Sequence, residues 1–312
     1  MTTLPKVFIL SGGVGAEREI ALVTGQSLEV VLQEHFPVVH RVLDRAALPP
    51  DIDYKEGIVF PALHGEFGED GSIQQLLEDQ GIHFAGSDGA SSRLCIHKSK
   101  TKSVVAKAGV RVIPGMTFTH DSIPSGQEIR NQLGDDLVLK PVDKGSSVDL
   151  FITETPDGLE QALNSLKPGT WLVEKRIRGR ELSIGILRNK ALGVVELRPQ
   201  GGIYDFERKY QAGQTEYLYP AELNAELIQE IRGAAEIAVQ SCGCRDFARV
   251  DFMLSSQNEL YFLEINTLPG LTPHSLLPKS ASCHELSFSD LAKELVLPAM
   301  NRFNTGGWSS KA

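Results

Sequence analysis

The chain has 312 residues, 41% of them hydrophobic and 23% charged, so its length suits two or three domains and its composition is typical of globular proteins. Its formal net charge of −9 argues against a nucleic-acid partner, and the lack of an 18-residue apolar run argues against a membrane span. The first residues show no signal-peptide pattern and the cysteines form no Cys-x-x-Cys pair. We therefore expect reduced thiols in a cytoplasmic protein.

The first part of the chain predicts an α/β domain with a parallel sheet. Apolar runs at residues 6–10, 38–42 and 57–63 predict strands, and a helical pattern that starts at Ala16 separates the first two. Another helix is expected after His64, where Ile73, Leu76 and Leu77 recur at helical spacing.

The class of structure changes after this region, which predicts a domain boundary between residues 90 and 115. A helix is predicted at 98–107, then strands at 115–119, 137–140, 147–153, 171–175 and 182–187, interrupted by one helix at 158–166. The last third predicts strands at 193–197, 249–254 and 260–265 and helices at 225–241 and 289–300.

The most informative feature is a pair of late strands that carry charged side chains. Because side chains alternate between the faces of a strand, Arg249 and Asp251 share a face, and so do Glu264 and Asn266. A turn at 255–258 predicts an antiparallel hairpin that places Asp251 opposite Glu264. Opposed carboxylates destabilise an ordinary sheet, so Asp251, Glu264 and Asn266 are predicted ligands of Mg²⁺, which prefers such oxygens. The alternative is a solvated polar face.

Two glycine-rich segments follow predicted strands of the N-terminal domain. Gly12-Gly13-Val14-Gly15 resembles a dinucleotide fingerprint, but Arg18 occupies the third glycine position and weakens that interpretation. Glu17 either complements the helix dipole or faces an ammonium ligand beyond the strand ends. Three glycines between His64 and Gly71 let a ligand approach the backbone, which favours a functional His64 over a purely structural one.

Two charged segments predict contacts with a nucleotide. Lys140 ends a strand and can meet phosphate oxygens as a point charge, and the loop Gly145-Ser146-Ser147 can supply backbone and hydroxyl donors. This loop is not a Walker A loop, and its alternative is a plain hairpin turn. Glu174 and Glu181 are acceptors that suit an adenine amino group or ribose hydroxyls, although by themselves they favour a solvated charged face.

Taken in order, these segments resemble a D-alanine–D-alanine ligase of the ATP-grasp superfamily. The resemblance extends from Lys6 to about Pro278, and its most specific motifs are the loop His64–Gly71 and the segment Glu264–Gly270. It implies an α/β and α+β protein with the ATP-grasp fold. The implied domains are an N-terminal parallel α/β domain at 1–97, a central lid at 98–182 and a C-terminal catalytic domain at 183–312. ATP would be held between the last two.

The resemblance also implies a role for each site residue. The expected phosphate contacts are Lys98, Lys140, Ser146 and Ser147, the adenine and ribose contacts are Glu174, Lys175, Ile177 and Glu181, and the ligands of two Mg²⁺ ions, or Mn²⁺ in their place, are Asp251, Glu264 and Asn266. The expected substrate contacts are Glu17 and His64 for the first D-alanine, Ser275 and Leu276 for the second, and Arg249 and the Gly270 backbone for the oxyanion. Ser146 and Tyr210 would bond with Glu17, with Tyr210 on a closing loop at 201–216.

The chain departs from the family pattern at a few positions. Gly15 and Ala21 stand where serine is usual, His97 replaces an acid, Asp149 replaces a glycine, and Leu271 replaces a methionine. These changes put rate and substrate affinity in question more than the type of reaction.

The implied reaction joins two D-alanines for the synthesis of peptidoglycan precursors. The carboxylate of one D-alanine attacks the γ-phosphate of ATP, and the amine of the second attacks the resulting acyl phosphate. The alternatives are an ATP-grasp ligase for another small amino or hydroxy acid, and a nucleotide-binding homologue without catalysis. We expect D-alanine and ATP as partners, a homodimer, and neither nucleic acid nor membrane.

Overall fold

The computed structural model describes residues 4–145, 149–199 and 215–306, and within these ranges its strands form three sheets. The predictions for Ser146, Ser147 and Tyr210, and most of the loop predicted at 201–216, lie outside the described residues. Among the helices that are described, none has both the length and the apolar character needed to cross a membrane.

The first sheet is parallel, as predicted. Its strands are β1 (Lys6–Gly12), β2 (Val38–Leu43) and β3 (Gly57–Pro61), in the order β2-β1-β3, and the helices of this part are α1 (Arg18–Leu32), α2 (Ser72–Asp79) and α3 (Gly89–Ile96), with a 3₁₀ turn at Tyr54–Glu56. Strand β1 is apolar from Val7 to Leu10, as suits a strand with both faces buried. Val7 and Ile9 pack in one core with α1, and Phe8 and Leu10 pack in another with α2.

The second sheet is antiparallel and forms the centre of the chain. Its strands are β4 (Gly115–Thr119), β5 (Leu137–Pro141), β6 (Phe151–Thr153) and β7 (Thr170–Lys175), in the order β4-β7-β5-β6, with a 3₁₀ turn at His120–Ser122 and the helices α5 (Gly126–Leu133) and α6 (Pro156–Asn164). Leu139 and Val173 pack against these helices, so Lys140 and Glu174 point to the opposite face of the sheet.

The third sheet is also antiparallel and contains the charged hairpin. Its strands are β8 (Gly179–Leu187), β9 (Lys190–Pro199), β10 (Thr215–Leu218), β11 (Phe247–Ser255) and β12 (Leu260–Asn266), in the order β10-β9-β8-β11-β12. Helix α7 (Ala225–Ser241) covers one face, where Ile231 packs with Val250 and Phe262. Helix α8 (Leu276–Ser282) covers the other face, and α9 (Phe288–Thr305) packs against α1 and β3.

Helix α4 (Lys98–Lys107) has the predicted bounds and packs with the third sheet. Its Val105 lies in the core of that sheet, and the Phe262 N–H donates to the Arg111 carbonyl at 2.8 Å. The buried core of the second sheet, by contrast, extends only from Phe118 to Val173. Within the predicted central domain at 98–182, α4 and the first residues of β8 thus pack with the third sheet, and the division into three domains stays a prediction.

Candidate active site

The hairpin of β11 and β12 has the predicted register. Asp251 lies opposite Glu264 and Arg249 lies opposite Asn266, and the ladder shifts register immediately after Asp251. Val250 points into the core beneath α7, so the charged side chains occupy the other face of the sheet. The alternation of side chains in the sequence is thus sufficient to bring the two carboxylates together.

Asp251 is buried, and its carboxylate is stabilised by the charge of Arg249 and by a hydrogen bond from Ser183. Arg249 Nε lies 3.0 and 3.1 Å from the two carboxylate oxygens, and Arg249 Nη2 lies 2.8 Å from Oδ2. Ser183, opposite Asp251 on β8, donates its hydroxyl to Oδ1 at 2.6 Å. Charge-assisted bonds of this kind hold the carboxylate in one orientation.

Lys98, in the first turn of α4, connects the second and third sheets. Its ammonium donates to the Lys144 carbonyl at 2.6 Å and lies 3.6 Å from Glu264 Oε2, and its backbone N–H donates to the Val142 carbonyl at 2.7 Å. Burial lowers the pKa of Lys98, and Glu264 opposes this effect. An ammonium held in this way suits a phosphate oxygen, which would supply the negative charge that burial demands.

A buried carboxylate bridges two lysines beside this site. Glu174 Oε1 lies 2.5 Å from Lys102 Nζ, and Glu174 Oε2 lies 2.8 Å from Lys140 Nζ. Burial lowers the pKa of Lys102 to about 8 although Glu174 opposes it. Burial also opposes the charges of Glu174 and Lys140, but their partners outweigh it, so the pKa of Glu174 is lowered and that of Lys140 is raised. The predicted contact of Glu174 with adenine or ribose stays a prediction.

Glu181 lies on the same face of β8 as Ser183. Burial, followed by the charges of Asp251 and Glu264, raises the pKa of Glu181 to about 8. Three carboxyl groups thus share one patch of the sheet, and Glu181 favours its neutral form because of burial and because the other two are charged.

The residues predicted to hold Mg²⁺ fit that ion by their donor chemistry. Asp251 and Glu264 supply carboxylates on facing strands, and the Asn266 side-chain oxygen is oriented by the Leu268 N–H at 2.9 Å. Within the described ranges, no three His, Cys, Asp or Glu side chains are arranged to hold a metal ion. The predicted magnesium ligands include two residues of these four types, Asp251 and Glu264, and the third is Asn266. The magnesium assignment stays a prediction.

A cavity of about 440 Å³ lies beside the hairpin, a volume typical of small-molecule sites. The predicted site residues that line it are Glu17, His64, Lys98, Arg249, Glu264, Asn266, Gly270, Ser275 and Leu276. The predicted nucleotide contacts Lys140, Glu174, Lys175, Ile177 and Glu181 are outside its lining, as is Asp251. Of these residues, Lys175 uses its backbone N–H to donate a hydrogen bond to the Pro114 carbonyl at 2.9 Å.

Glu17 and His64 belong to the part of the cavity wall that the N-terminal domain supplies. The Glu17 carboxylate lies so close to Gly65, which has a φ of +65°, that a Cβ at Gly65 would be 2.6 Å from Oε2. His64 Nε2 lies 3.0 Å from Thr24 Oγ1, and His64 Nδ1 lies 3.5 Å from Glu69 Oε1. His64 is therefore oriented from both ring nitrogens.

Gly270, Ser275 and Leu276 form one local unit after β12. The Ser275 hydroxyl oxygen accepts a bond from the Thr272 N–H at 3.1 Å, and a Cβ at Gly270 would lie 3.1 Å from the same oxygen. Leu276 is buried against Val195 and fixes the start of α8 on the third sheet. These contacts place the Gly270 backbone and the Ser275 side chain next to each other on the cavity wall.

The negative charge that Asp149 adds to the chain is already compensated. Its carboxylate lies 2.6 Å from Lys167 Nζ and 3.2 Å from Lys144 Nζ, and these lysines lower the pKa of Asp149. Its φ of +56° explains why glycine suits this position.

His97 occupies the position that precedes α4. Its ring accepts a bond from the Lys100 N–H at 3.5 Å, and burial lowers the pKa of His97.

A side chain at Gly15 would be in ordinary contact with Glu66, since a Cβ there would lie 3.6 Å from the Glu66 nitrogen.

Sequence reasoning missed several polar residues of the site: Thr24, Glu69, Lys102 and Ser183. Lys102 was accessible from the sequence, because it follows Lys98 by four positions in a predicted helix and therefore shares its face. Glu69 lies within the glycine-rich motif His64–Gly71, whereas Thr24 and Ser183 lacked a comparable local signal.

Family models match most of the chain. The model for the C-terminus of D-Ala–D-Ala ligases matches residues 104–297, and the model for the N-terminus matches residues 41–87. The D-alanine–D-alanine ligase of Geobacter sulfurreducens is 38% identical over 306 residues, 94% of each chain. That of Aquifex aeolicus is 38% identical over 296 residues, 93% of this chain and 99% of its own.

Solved structures agree with these matches. The D-alanine–D-alanine ligase from Bacillus anthracis complexed with ATP has a TM-score of 0.85 at 27% identity and covers 97% of this chain and 100% of its own. The VanG D-Ala:D-Ser ligase from Enterococcus faecalis has a TM-score of 0.83 at 27% identity and covers 94% and 98%. The fold and the site thus define an ATP-grasp ligase that forms ADP. Within that class, the chain belongs to the D-alanine–D-alanine ligase family.

Proposed function

We propose that this chain joins two molecules of D-alanine into D-alanyl-D-alanine and converts ATP to ADP and phosphate. The observation that carries the proposal is the opposed pair of Asp251 and Glu264, with Lys98 3.6 Å from Glu264. Glu17 and Ser275 both line the cavity beside this pair. A lysine and two carboxylates, which suit phosphate and Mg²⁺ respectively, thus adjoin a cavity of small-molecule size.

In the first step, a carboxylate oxygen of one D-alanine attacks the γ-phosphorus of ATP. A new O–P bond forms, the bond to the β-phosphate oxygen breaks, and ADP leaves. Because both reactants are anions, Lys98 and Lys140 would lower the barrier by pairing with phosphate oxygens. Asp251, Glu264 and Asn266 would hold Mg²⁺, which supplies further neutralisation of phosphate charge when it is bound.

Glu17 would receive the ammonium group of the first D-alanine and so orient its carboxylate towards the phosphate. Its close approach to Gly65 fixes the direction of the acceptor, and His64 lies on the same wall. Holding the two reactants in this geometry reduces the entropic cost of bringing them together in the transition state.

In the second step, the neutral amine of the second D-alanine attacks the acyl carbon. The C–N bond forms, the C–O bond to phosphate breaks, and the proton that the amine loses passes to the departing phosphate. Arg249 and the Gly270 N–H would stabilise the oxyanion, and one such donor is worth about 3–4 kcal/mol. Arg249 is already oriented by Asp251, and Ser275 and Leu276 would contact the second D-alanine.

The nucleotide would lie between the second and third sheets. We assign its adenine and ribose to Glu174, Lys175, Ile177 and Glu181, and its phosphates to Ser146 and Ser147 in addition to the lysines. Tyr210 and Ser146 complete the proposed hydrogen-bonded set with Glu17.

The test is product formation by the purified chain. With ATP, Mg²⁺ and D-alanine, we expect ADP, phosphate and D-alanyl-D-alanine in equal amounts, measured by a coupled ADP assay and by chromatography of the dipeptide. The control omits D-alanine. If ADP formation is the same with and without D-alanine, the proposal is wrong.

A second candidate differs only in the second substrate. The similarity to a D-Ala:D-Ser ligase supports including D-serine among the acceptors. Assays in which D-serine or D-lactate competes with D-alanine would distinguish the candidates. We expect D-alanyl-D-alanine to dominate, whereas an excess of D-alanyl-D-serine would favour the second.

The biological setting is also part of the proposal. The product would enter peptidoglycan precursors, and the protein would act in the cytoplasm as a homodimer. Light scattering of the purified chain tests the dimer, because the mass in solution would be twice the 34.1 kDa of one chain.

A further inference from the structure

We propose that Lys102 is a positioning residue that acts through Glu174 to keep Lys140 available for phosphate. This inference rests on the proposed function, because it assumes that Lys140 contacts ATP. Lys102 itself is buried and does not line the cavity, so its effect on the reaction must pass through its neighbours.

The Lys102–Glu174 ion pair connects the second sheet with the elements that pack on the third sheet. Lys102 lies on α4, which packs with the third sheet, and its ammonium lies 3.5 Å from the Phe262 carbonyl of β12. Glu174 lies on β7 in the middle of the second sheet. The 2.5 Å contact between Lys102 and Glu174 therefore fixes the second sheet relative to the third at the site proposed for the nucleotide.

Glu174 divides its two oxygens between two cations. Oε1 faces Lys102 and Oε2 faces Lys140, which lies on the neighbouring strand β5. If Lys102 were absent, Glu174 and Lys140 would form a neutral pair, and a phosphate would have to compete with the whole carboxylate for the Lys140 ammonium. With Lys102 present, the cluster retains one net positive charge at neutral pH.

The helical spacing of the lysines supports the same interpretation. Lys98 and Lys102 follow each other by one turn on α4, and both are buried on the face that looks towards β12. Lys98 donates a hydrogen bond to the Lys144 carbonyl in the loop after β5, and Lys102 forms an ion pair with Glu174. One helix thus holds the loop and the strand around Lys140 at two points.

The experiment compares wild type with Lys102→Met, Lys102→Arg and the control Lys107→Met. Lys107 is exposed on the same helix, so its replacement removes the same charge outside the cluster. For Lys102→Met we expect the KM for ATP to rise about tenfold or more, the change produced by the loss of a charge-assisted bond. The KM for D-alanine should stay within about twofold, and Lys102→Arg, which keeps the charge and the contact, should recover most of the loss.

Direct binding separates positioning from a purely structural effect. The Kd of a non-hydrolysable ATP analogue, measured by calorimetry, should rise in Lys102→Met together with the KM for ATP. A purely structural loss would reduce the active fraction and the melting temperature but leave both constants unchanged. If Lys102→Met does not fold, Lys102→Gln, which keeps a neutral donor to Glu174, is compared in its place.

Two outcomes distinguish an error in the role assigned to Lys102 from an error in the proposed function. If wild type makes dipeptide and Lys102→Met matches Lys107→Met in both constants, Lys102 does not position Lys140. If wild type makes no ADP with D-alanine, the proposed function is wrong, and the analogue's Kd still decides whether Lys102 supports phosphate binding.

Discussion

Asp251 and Glu264 lie directly opposite each other on β11 and β12, although two ionised carboxylates in such a position repel. Arg249 and Ser183 hold Asp251, and Lys98 lies 3.6 Å from Glu264. The sheet therefore tolerates the pair because each carboxylate has its own polar partner. In the proposed function, a divalent cation between the facing carboxylates would further reduce their repulsion.

Replacement of Glu264 by glutamine keeps the shape of the side chain and removes its charge. We expect the Mg²⁺ concentration for half-maximal ADP formation to rise about 10–100-fold, as for a weakened metal site. The control is Glu259→Gln, an exposed acid in the same hairpin, for which we expect no more than a small change. Equal Mg²⁺ dependence in the two variants would contradict a metal-binding role of Glu264.

Gly65 and Gly81 offer a matched test of how Glu17 is positioned. Both have positive φ, +65° and +68°, but a Cβ at Gly65 would lie 2.6 Å from Glu17 Oε2, whereas a Cβ at Gly81 would meet nothing within 4 Å. Alanine at either position should cost about 1–2 kcal/mol of stability from the backbone conformation. Only Gly65→Ala should also raise the KM for D-alanine, because it displaces the Glu17 carboxylate.

Urea unfolding and steady-state kinetics of the two alanine variants supply the measurements. A similar KM for D-alanine in both variants would mean that the position of Glu17 does not matter for substrate binding. An increase confined to Gly65→Ala would support the contact of Glu17 with the ammonium group.

Glu181 predicts a specific dependence of stability on pH. In the folded protein its pKa is raised from 4.5 to about 8, so the folded state binds more protons than the unfolded state between these values. The contribution of Glu181 to the free energy of unfolding should therefore fall as pH rises through this window, with the full cost present above pH 8. Below pH 4.5 the cost is absent, because both states are protonated.

Urea unfolding of wild type and Glu181→Gln at several pH values measures this effect. The free energy of unfolding of wild type relative to the variant should decrease from about pH 5 to about pH 8 and then stay level. A difference that does not change with pH would show that Glu181 keeps its ordinary acidity in the folded protein.

Asp149 predicts a small effect on the rate, although it departs from the glycine of the family pattern. Lys144 and Lys167 already compensate its charge, so Asp149→Gly should change kcat by no more than about twofold, in line with the small energies of accessible ion pairs. Steady-state ADP formation is the measurement. A tenfold increase in kcat would show instead that the acid at this position slows the reaction.

The local sequence was informative wherever a periodic pattern was long enough. The parallel first sheet, the bounds of α4 and α7, and the register of the β11–β12 hairpin follow from such patterns and are confirmed. The short helices α3, α5 and α8 were missed, because eight or fewer residues usually give little periodicity. Helix α2, also of eight residues, was predicted because Ile73, Leu76 and Leu77 recur at helical spacing. For α5, the capping box of Ser125 and Glu128 is the local sequence signal that marks the start of the helix.

The opposition of Asp251 and Glu264 was determined by the sequence alone, because a strand alternates its side chains and a short turn sets the register between its two strands. The sharing of Glu174 between Lys102 and Lys140 was decided only by the tertiary structure. These residues come from a helix and two strands that are distant in sequence, and no local rule states which charges will be buried together. Burial is a property of the packed sheets, and it makes each of these charges depend on the others.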